Sequence, residues 1–249
     1  MTADPIRIAM WSGPRNISTA MMRSFGARRD TFVVDEPFYA AYLAKAGVDH
    51  PMRSEVLASQ PNDWRDVVSR LLGPTPQGQA IFYQKHMTHH MLPGFGLVWM
   101  AHARSAFLIR EPEAVLASYT QKRGEVELAD VGFVQQGEIF ARVADALGRA
   151  PPVVEGIDVL RDPAGVLSKL CAALEIPWAD EMLAWPAGRR DTDGVWAPAW
   201  YDAVERSTGF EPPREENKPH QISGLPDHLR AIAEAARPHY ENLARWKIA

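Results

Sequence analysis

The sequence predicts an α/β fold in which a mostly parallel central sheet is flanked by helices. Three observations predict it: short apolar runs recur along the chain, segments of helical period separate them, and Gly, Pro, Asp or Asn marks the junctions. This alternation is the pattern of parallel strands joined by helical crossovers.

Taken in order, residues 6–11 (IRIAMW) form the first strand, and residues 18–28 follow as a helix. Residues 31–34 (TFVV) are a second strand that ends at Asp35-Glu36-Pro37. Asn62 stands in a capping position ahead of Trp64, Val67, Val68, Leu71 and Leu72, which share one helix face. Gly73 and Pro74 close that helix. Residues 80–83, 106–109 and 152–154 supply strands three to five. Residues 113–123 and 133–147 have a helical period, and Asp162 caps a helix running through Leu174. The tail, residues 226–246, reads as helix interrupted at Pro238. Residues 186–219 are rich in Arg, Asp, Gly, Pro and Trp, with weak periodicity, and read as a long excursion over a site. There is no repeat and no low-complexity linker. Residues 1–249 therefore read as one domain, with 186–219 as its lid.

A chain of 249 residues with 46% hydrophobic and 23% charged side chains has enough apolar surface for a full core. A net charge of −4 argues against a broad nucleic-acid or anionic-membrane surface. The single cysteine, Cys171, excludes an internal disulfide and a multi-cysteine metal site, and its neighbours Leu167, Leu170 and Leu174 make it core filling. No apolar stretch approaches the roughly 20 residues of a membrane span. The first strand begins too early to leave room for a signal peptide. These features predict a cytoplasmic protein with no nucleic-acid or membrane partner, and they leave the oligomeric state open.

Residues 12–25 (SGPRNISTAMMRSF) look like a phosphate-binding loop without its lysine. A nucleotide-triphosphate loop reads Gly, four residues, Gly-Lys-Ser/Thr. Here Gly13 precedes Pro14-Arg15-Asn16-Ile17 and then Ser18-Thr19, with no second glycine. The free N–H groups and dipole of a helix start favour an anion there. Arg15 adds a fixed charge, and Ser18 and Thr19 add hydroxyl donors. The plain alternative is a turn with a capping serine. A second constellation lies at the end of strand four, where Arg110 precedes Glu111-Pro112 and a helix carrying Ser118. Pro112 suits the first helical turn, and Arg110 and Ser118 are placed to converge on a second anion. Taken singly they are a surface arginine and a serine bonded back to its own helix.

Together the two segments resemble the sulfotransferases that use 3′-phosphoadenylyl sulfate (PAPS), within the superfamily of P-loop-containing nucleoside triphosphate hydrolase-like proteins. Arg110 and Ser118, eight residues apart, resemble that family's 3′-phosphate motif. Pro14 to Thr19 is similar to its 5′-phosphosulfate loop, commonly Pro-Lys-Ser-Gly-Thr-Thr, at the proline, the basic residue and both hydroxyls. Ile17 stands where the family has glycine, and Glu111 where aspartate is common. Glu155-Gly156-Ile157-Asp158 looks like the family's acidic end of strand five. The resemblance implies a P-loop-like sulfotransferase architecture and a metal-free reaction. The donor would be PAPS, the acceptor a hydroxyl or amine of a small molecule. Gly13, Pro14, Arg15, Asn16, Ile17, Ser18, Thr19, Arg110 and Ser118 would hold the donor. A charge-assisted hydrogen bond contributes roughly 1.5–3 kcal/mol, so two to the 3′-phosphate discriminate strongly against ATP.

Sulfonyl transfer to a hydroxyl needs an in-line nucleophile and a general base. Tyr83-Gln84-Lys85-His86-Met87 supplies the candidates. The family often places a lysine and a histidine here with one residue between them, whereas in this chain they are adjacent. The catalytic set expected is Arg15, Lys85 as a sulfonate-stabilising cation, and His86 as base, with Glu36 as the rival base. His89 and His90 follow on a helix and line the acceptor pocket; with His86 they lack the carboxylate company of a metal site. Asp35-Glu36-Pro37-Phe38-Tyr39 also reads as acidic cap residues ahead of a buried aromatic pair. Trp196, Trp200 and Tyr201 read equally as core or as ligand-stacking surfaces. Arg189-Arg190 is a solvated pair unless the lid brings it to the donor. Two other functions stay open: an ATP-dependent small-molecule kinase, which would need the missing lysine, and a non-catalytic nucleotide- or phosphate-binding protein.

Overall fold

A computed structural model describes residues 4–120, 126–213 and 225–248. Strands β1 (Ile6–Ser12), β2 (Thr31–Asp35), β3 (Ile81–Met87), β4 (Arg104–Ile109) and β5 (Val153–Glu155) form one parallel sheet in the order β2-β3-β1-β4-β5. The register keeps their C-terminal ends together: Ser12 pairs with Met87 and with Leu108, and Asp35 pairs with Lys85. Side chains alternate across the sheet, so both faces must be covered. Ile8, Met10, Tyr83 and Leu108 pack with Met21, Met22 and Phe25 of helix Ser18–Gly26 and Leu167, Leu170 and Cys171 of helix Pro163–Ala173. Ala9, Trp11, Phe82 and Phe107 pack on the opposite side with helices Trp64–Leu71, Pro112–Thr120, Phe133–Leu147 and Asp227–Ala244.

Several boundaries differ from those expected. Asp63, not Asn62, caps the helix at Trp64, accepting from Arg65 N at 2.8 Å. The tail helix is not interrupted, because Pro238 sits on its exposed face. The carbonyl that loses its partner there can be hydrated, while Leu229, Ala233, Ala236, Tyr240 and Leu243 anchor both halves. Strand β3 continues four residues past Tyr83, since it lies between β1 and β2 and pairs with both. His89 and His90 lie in a single turn, Thr88–His90, rather than a longer helix. Asp162 does cap its helix, accepting from Gly165 N at 2.9 Å. Residues 121–123 of one expected helix and 214–219 of the excursion lie outside the described residues. No helix among the described residues is long and apolar enough to cross a membrane.

The described part of the excursion is packed. Trp196 and Tyr201 are buried in a cluster with Tyr39, Tyr42, Leu43 and Val56. The Asp193 carboxylate meets Arg23 at 2.7 Å in a buried ion pair. Arg189 is exposed, and Arg190 donates to carbonyls of its own loop at Pro186 and Gly188. A second lock holds the end of β3. Thr88 Oγ1 donates to Gly132 O at 2.9 Å, and Gly132 has φ 67°, where a Cβ would come 2.5 Å from Thr88 Oγ1. Gly132→Ala is therefore expected to cost about 1–3 kcal/mol, read as a lowered denaturant midpoint with an unchanged slope.

Candidate active site

The C-terminal ends of β1, β2, β3 and β4 open into a cavity of about 670 Å³, the usual ligand position in an open parallel sheet. Pro14, Arg15, Asn16, Ile17, Ser18 and Thr19 line it, while Gly13 sits behind them, where a Cβ would come 2.9 Å from Val131 O. Arg15 holds φ 56°, a left-handed conformation that bends the loop. Asn16 ties the bend to β4: its Nδ2 donates to Leu108 O at 3.3 Å, and its Oδ1 accepts from Ile17 N at 2.9 Å. No side chain caps the helix at Ser18, so its first-turn N–H groups stay available to a ligand.

Arg110 at the end of β4 and Ser118 on the following helix line the same cavity. Arg110 Nη1 donates to Arg15 O at 2.5 Å, and Arg15 Nε donates to Ser118 Oγ at 3.1 Å. The two segments singled out in the sequence thus meet. Neither guanidinium has a carboxylate partner among the described residues. Burial lowers the pKa of both, and the Arg15 charge lowers that of Arg110 further. Two half-buried cations without a counter-charge are the electrostatic demand for an anion.

The ends of β2 and β3 are built differently. Lys85 Nζ donates to Asp35 Oδ1 at 2.8 Å, Glu36 Oε1 at 2.7 Å and Tyr201 Oη at 2.8 Å, committing all three of its donors. Tyr201 donates to Asp35 Oδ2 at 2.7 Å, which also accepts from Gly194 N at 3.1 Å. Burial alone would lower the Lys85 ammonium, but Asp35 and Glu36 outweigh it and hold its pKa well above the lysine range. Burial lifts the Glu36 carboxyl, the Asp35 charge adds to that, and Lys85 only partly opposes them. Glu36 has φ 39°, again left-handed. Gln60 holds this strained backbone by donating from Nε2 to Glu36 O at 3.2 Å and accepting Ala40 N at 3.1 Å on Oε1.

His86 is not in the cavity. Strand alternation turns Lys85 and Met87 toward it and His86 to the other face of the sheet, where it stacks on Trp11 at 4.4 Å beside Phe38 and Trp99. It is 1% exposed, Nε2 is 3.2 Å from Gln84 Oε1, and burial drives its pKa down to about 3. The residue two beyond Lys85 on the cavity side is Met87. His89 and His90 do line the cavity. His90 is stacked between Tyr39 at 4.6 Å and Tyr42 at 4.9 Å, and its Nε2 lies 3.9 Å from Glu36 Oε2. Tyr39 Oη is hydrogen-bonded to His50 Nδ1. Trp200 and Arg206 add to the wall, whereas Arg189 and Arg190 do not. Sequence reasoning left the structural part of Asp35 unseen and missed Gln60 altogether. Tyr201 was visible only as an aromatic with two readings.

Comparison with known proteins agrees with this architecture. The family model described as "Sulfotransferase domain" matches residues 6–244. Two relatives from Arabidopsis thaliana, branched-chain-amino-acid aminotransferase-like proteins 1 and 2, are 37% identical over 213 residues and 35% identical over 209. The matches cover 86% and 84% of this chain but only 38% and 37% of theirs, so the chain spans little more than a third of their length. Among solved structures, the sulfotransferase domain from the curacin biosynthetic pathway has a TM-score of 0.57 at 18% identity, covering 94% of this chain and 98% of that one. The sulfotransferase domain of the Synechococcus PCC 7002 olefin synthase has a TM-score of 0.58 at 16% identity, covering 98% of each. These structural matches speak for the fold. With the family model spanning nearly all of residues 4–248, this chain belongs to the sulfotransferase family.

Proposed function

We propose that this protein transfers a sulfonate group from PAPS to a small-molecule acceptor. The observation that carries this reading is the meeting of Arg15 and Arg110, without carboxylate partners among the described residues, in one cavity whose other end holds Glu36. Sheet order supports it. The β1 loop lies between β3 and β4. A group held there has the Arg110 and Ser118 pair on one side and Glu36 on the other. At ~4.8 Å between strands, β2 and β4 are roughly 14 Å apart, room for a nucleotide end and an acceptor end.

In this reading Arg15, Ser18, Thr19 and the loop amides hold the phosphosulfate, and Arg110 and Ser118 hold the 3′-phosphate. The donor, when bound, supplies a sulfonate activated by a phosphate leaving group. Arg15 stabilises the charge that grows on that side in the transition state. Glu36 is the general base, within the cavity where His86 is not. Lys85, with its donors already committed, fixes Glu36 rather than the sulfonate. The reaction is metal-free and the setting cytoplasmic.

Calorimetry with adenosine 3′,5′-bisphosphate and adenosine 5′-monophosphate tests the donor. The bisphosphate is expected to bind roughly ten- to a hundredfold more tightly, from one or two charge-assisted bonds, and Arg110→Ala should remove most of that difference. Equal affinities, unchanged by the substitution, would overturn the reading. Turnover insensitive to EDTA would separate it from an ATP- and Mg²⁺-dependent kinase.

A further inference from the structure

The two ends of the cavity carry opposite charge. Arg15 and Arg110 dominate at β1 and β4. At β2 and β3 two carboxylates, Asp35 and Glu36, share a single cation, Lys85. Asp35 is buried and fully engaged by Lys85, Tyr201 and Gly194. Glu36 uses Oε1 for Lys85, but no described residue hydrogen-bonds Oε2, and His90 Nε2 stands 3.9 Å from it.

His90 stands beside that free oxygen. It is 1% exposed, lines the cavity, and has no partner for Nδ1. Burial above all, with the neighbouring histidines and Lys85 adding to it, holds the ring's pKa well below the imidazole range. Its Nδ1 is buried, and Nε2 is the ring nitrogen that stands toward Glu36. The unfilled position at this end is therefore a charged acceptor, Glu36 Oε2, and Tyr39 and Trp200 add aromatic surface. An anion would be repelled here, and a neutral ligand would leave the carboxylate uncompensated. An ammonium supplies an N–H donor and the missing charge.

We propose that the β2–β3 end of the cavity is the acceptor subsite and that it takes a primary amine, which enters as its ammonium. The charge preference stands on these residues alone; the chemistry rests on the sulfonyl-transfer reading above. Glu36 accepts one ammonium proton. The freed nitrogen lone pair forms an N–S bond as the S–O bond to the donor's phosphate breaks, its electron pair staying on the phosphate oxygen. The nitrogen then loses a second proton to solvent. The products are a sulfamate and adenosine 3′,5′-bisphosphate.

The test uses 2-phenylethylamine, 2-phenylethanol and phenylacetate, which share a ring and differ in charge. Each is titrated calorimetrically into the full chain saturated with adenosine 3′,5′-bisphosphate. The amine is expected to bind at least about tenfold more tightly than the alcohol, the scale of one charge-assisted hydrogen bond, with the carboxylate weakest. Glu36→Gln should erase the preference and Glu36→Asp should keep it, which separates a lost charge from a damaged fold. Equal or reversed order, no amine binding at millimolar concentration, or a preference untouched by Glu36→Gln would overturn the proposal. If the bisphosphate itself failed to bind, the donor reading would fall, and the amine order would be read on the nucleotide-free protein.

Discussion

Glu36→Gln is expected to lower turnover by about 10²- to 10⁴-fold, the usual contribution of a general base, while leaving affinity for adenosine 3′,5′-bisphosphate within about twofold, since none of the proposed donor contacts involves it. The substitution keeps the side-chain shape and can still accept from Lys85 on one oxygen, so the loss reports proton transfer rather than collapse. The pH profile gives an independent reading. The base must be ionised to act, so activity is lost as pH falls through the Glu36 pKa and is full above it. Burial and Asp35 raise that pKa, which places the rising limb above the ordinary carboxylate value of about 4.3. A His86 base, with its pKa pushed down to about 3, would put the limb below that value. Turnover within about tenfold of the wild type would remove Glu36 from the mechanism.

Asp35→Ala is expected to destabilise the fold by about 3–5 kcal/mol, the range for removing one partner of a buried ion pair. The substitution leaves Lys85 with only Glu36 as counter-charge and strips Tyr201 and the Gly194 amide of their acceptor. Asp63→Ala, which removes an exposed helix cap, should cost only ~1 kcal/mol and provides the contrast within the same chain. Urea denaturation of both variants measures it. A loss of under about 1 kcal/mol at Asp35 would mean that water, not protein, satisfies Lys85. Asp35→Asn, which retains an acceptor for Tyr201, should fall between the two.

The Arg15–Arg110 end of the cavity was legible in the sequence because it is local. Residues 12–19 and 110–118 each carry their charge, hydroxyls and turn chemistry within one strand-to-helix junction, and a parallel sheet brings such junctions to one edge. The strands were legible for the same reason, through short apolar runs. The Asp35–Glu36 end was not, because its contacts are long-range. Tyr201 reaches Asp35 across 166 residues, and Gln60 reaches Glu36 across 24. Nothing in the residue types around Gln60 or Tyr201 announces those bonds. His86 was misplaced for a narrower reason. Gln84, Lys85 and His86 are polar, so the third strand seemed to end at Tyr83; all three are buried and extended. Once the strand is continued, period two alone sends His86 to the face opposite Lys85.

The anchoring of residues 193–201 has a consequence for how ligands come and go. Asp193 is bound to Arg23 and Gly194 to Asp35, and Trp196 lies in a core cluster, so this wall of the cavity is already in place before anything binds. Little backbone here has to be ordered on association, and the entropic penalty of loop closure does not tax affinity. The heat-capacity change of nucleotide binding should then carry no contribution from the folding of residues 193–201. Along this wall, selectivity comes from the fixed positions of its groups, and a poor ligand is rejected there by misfit.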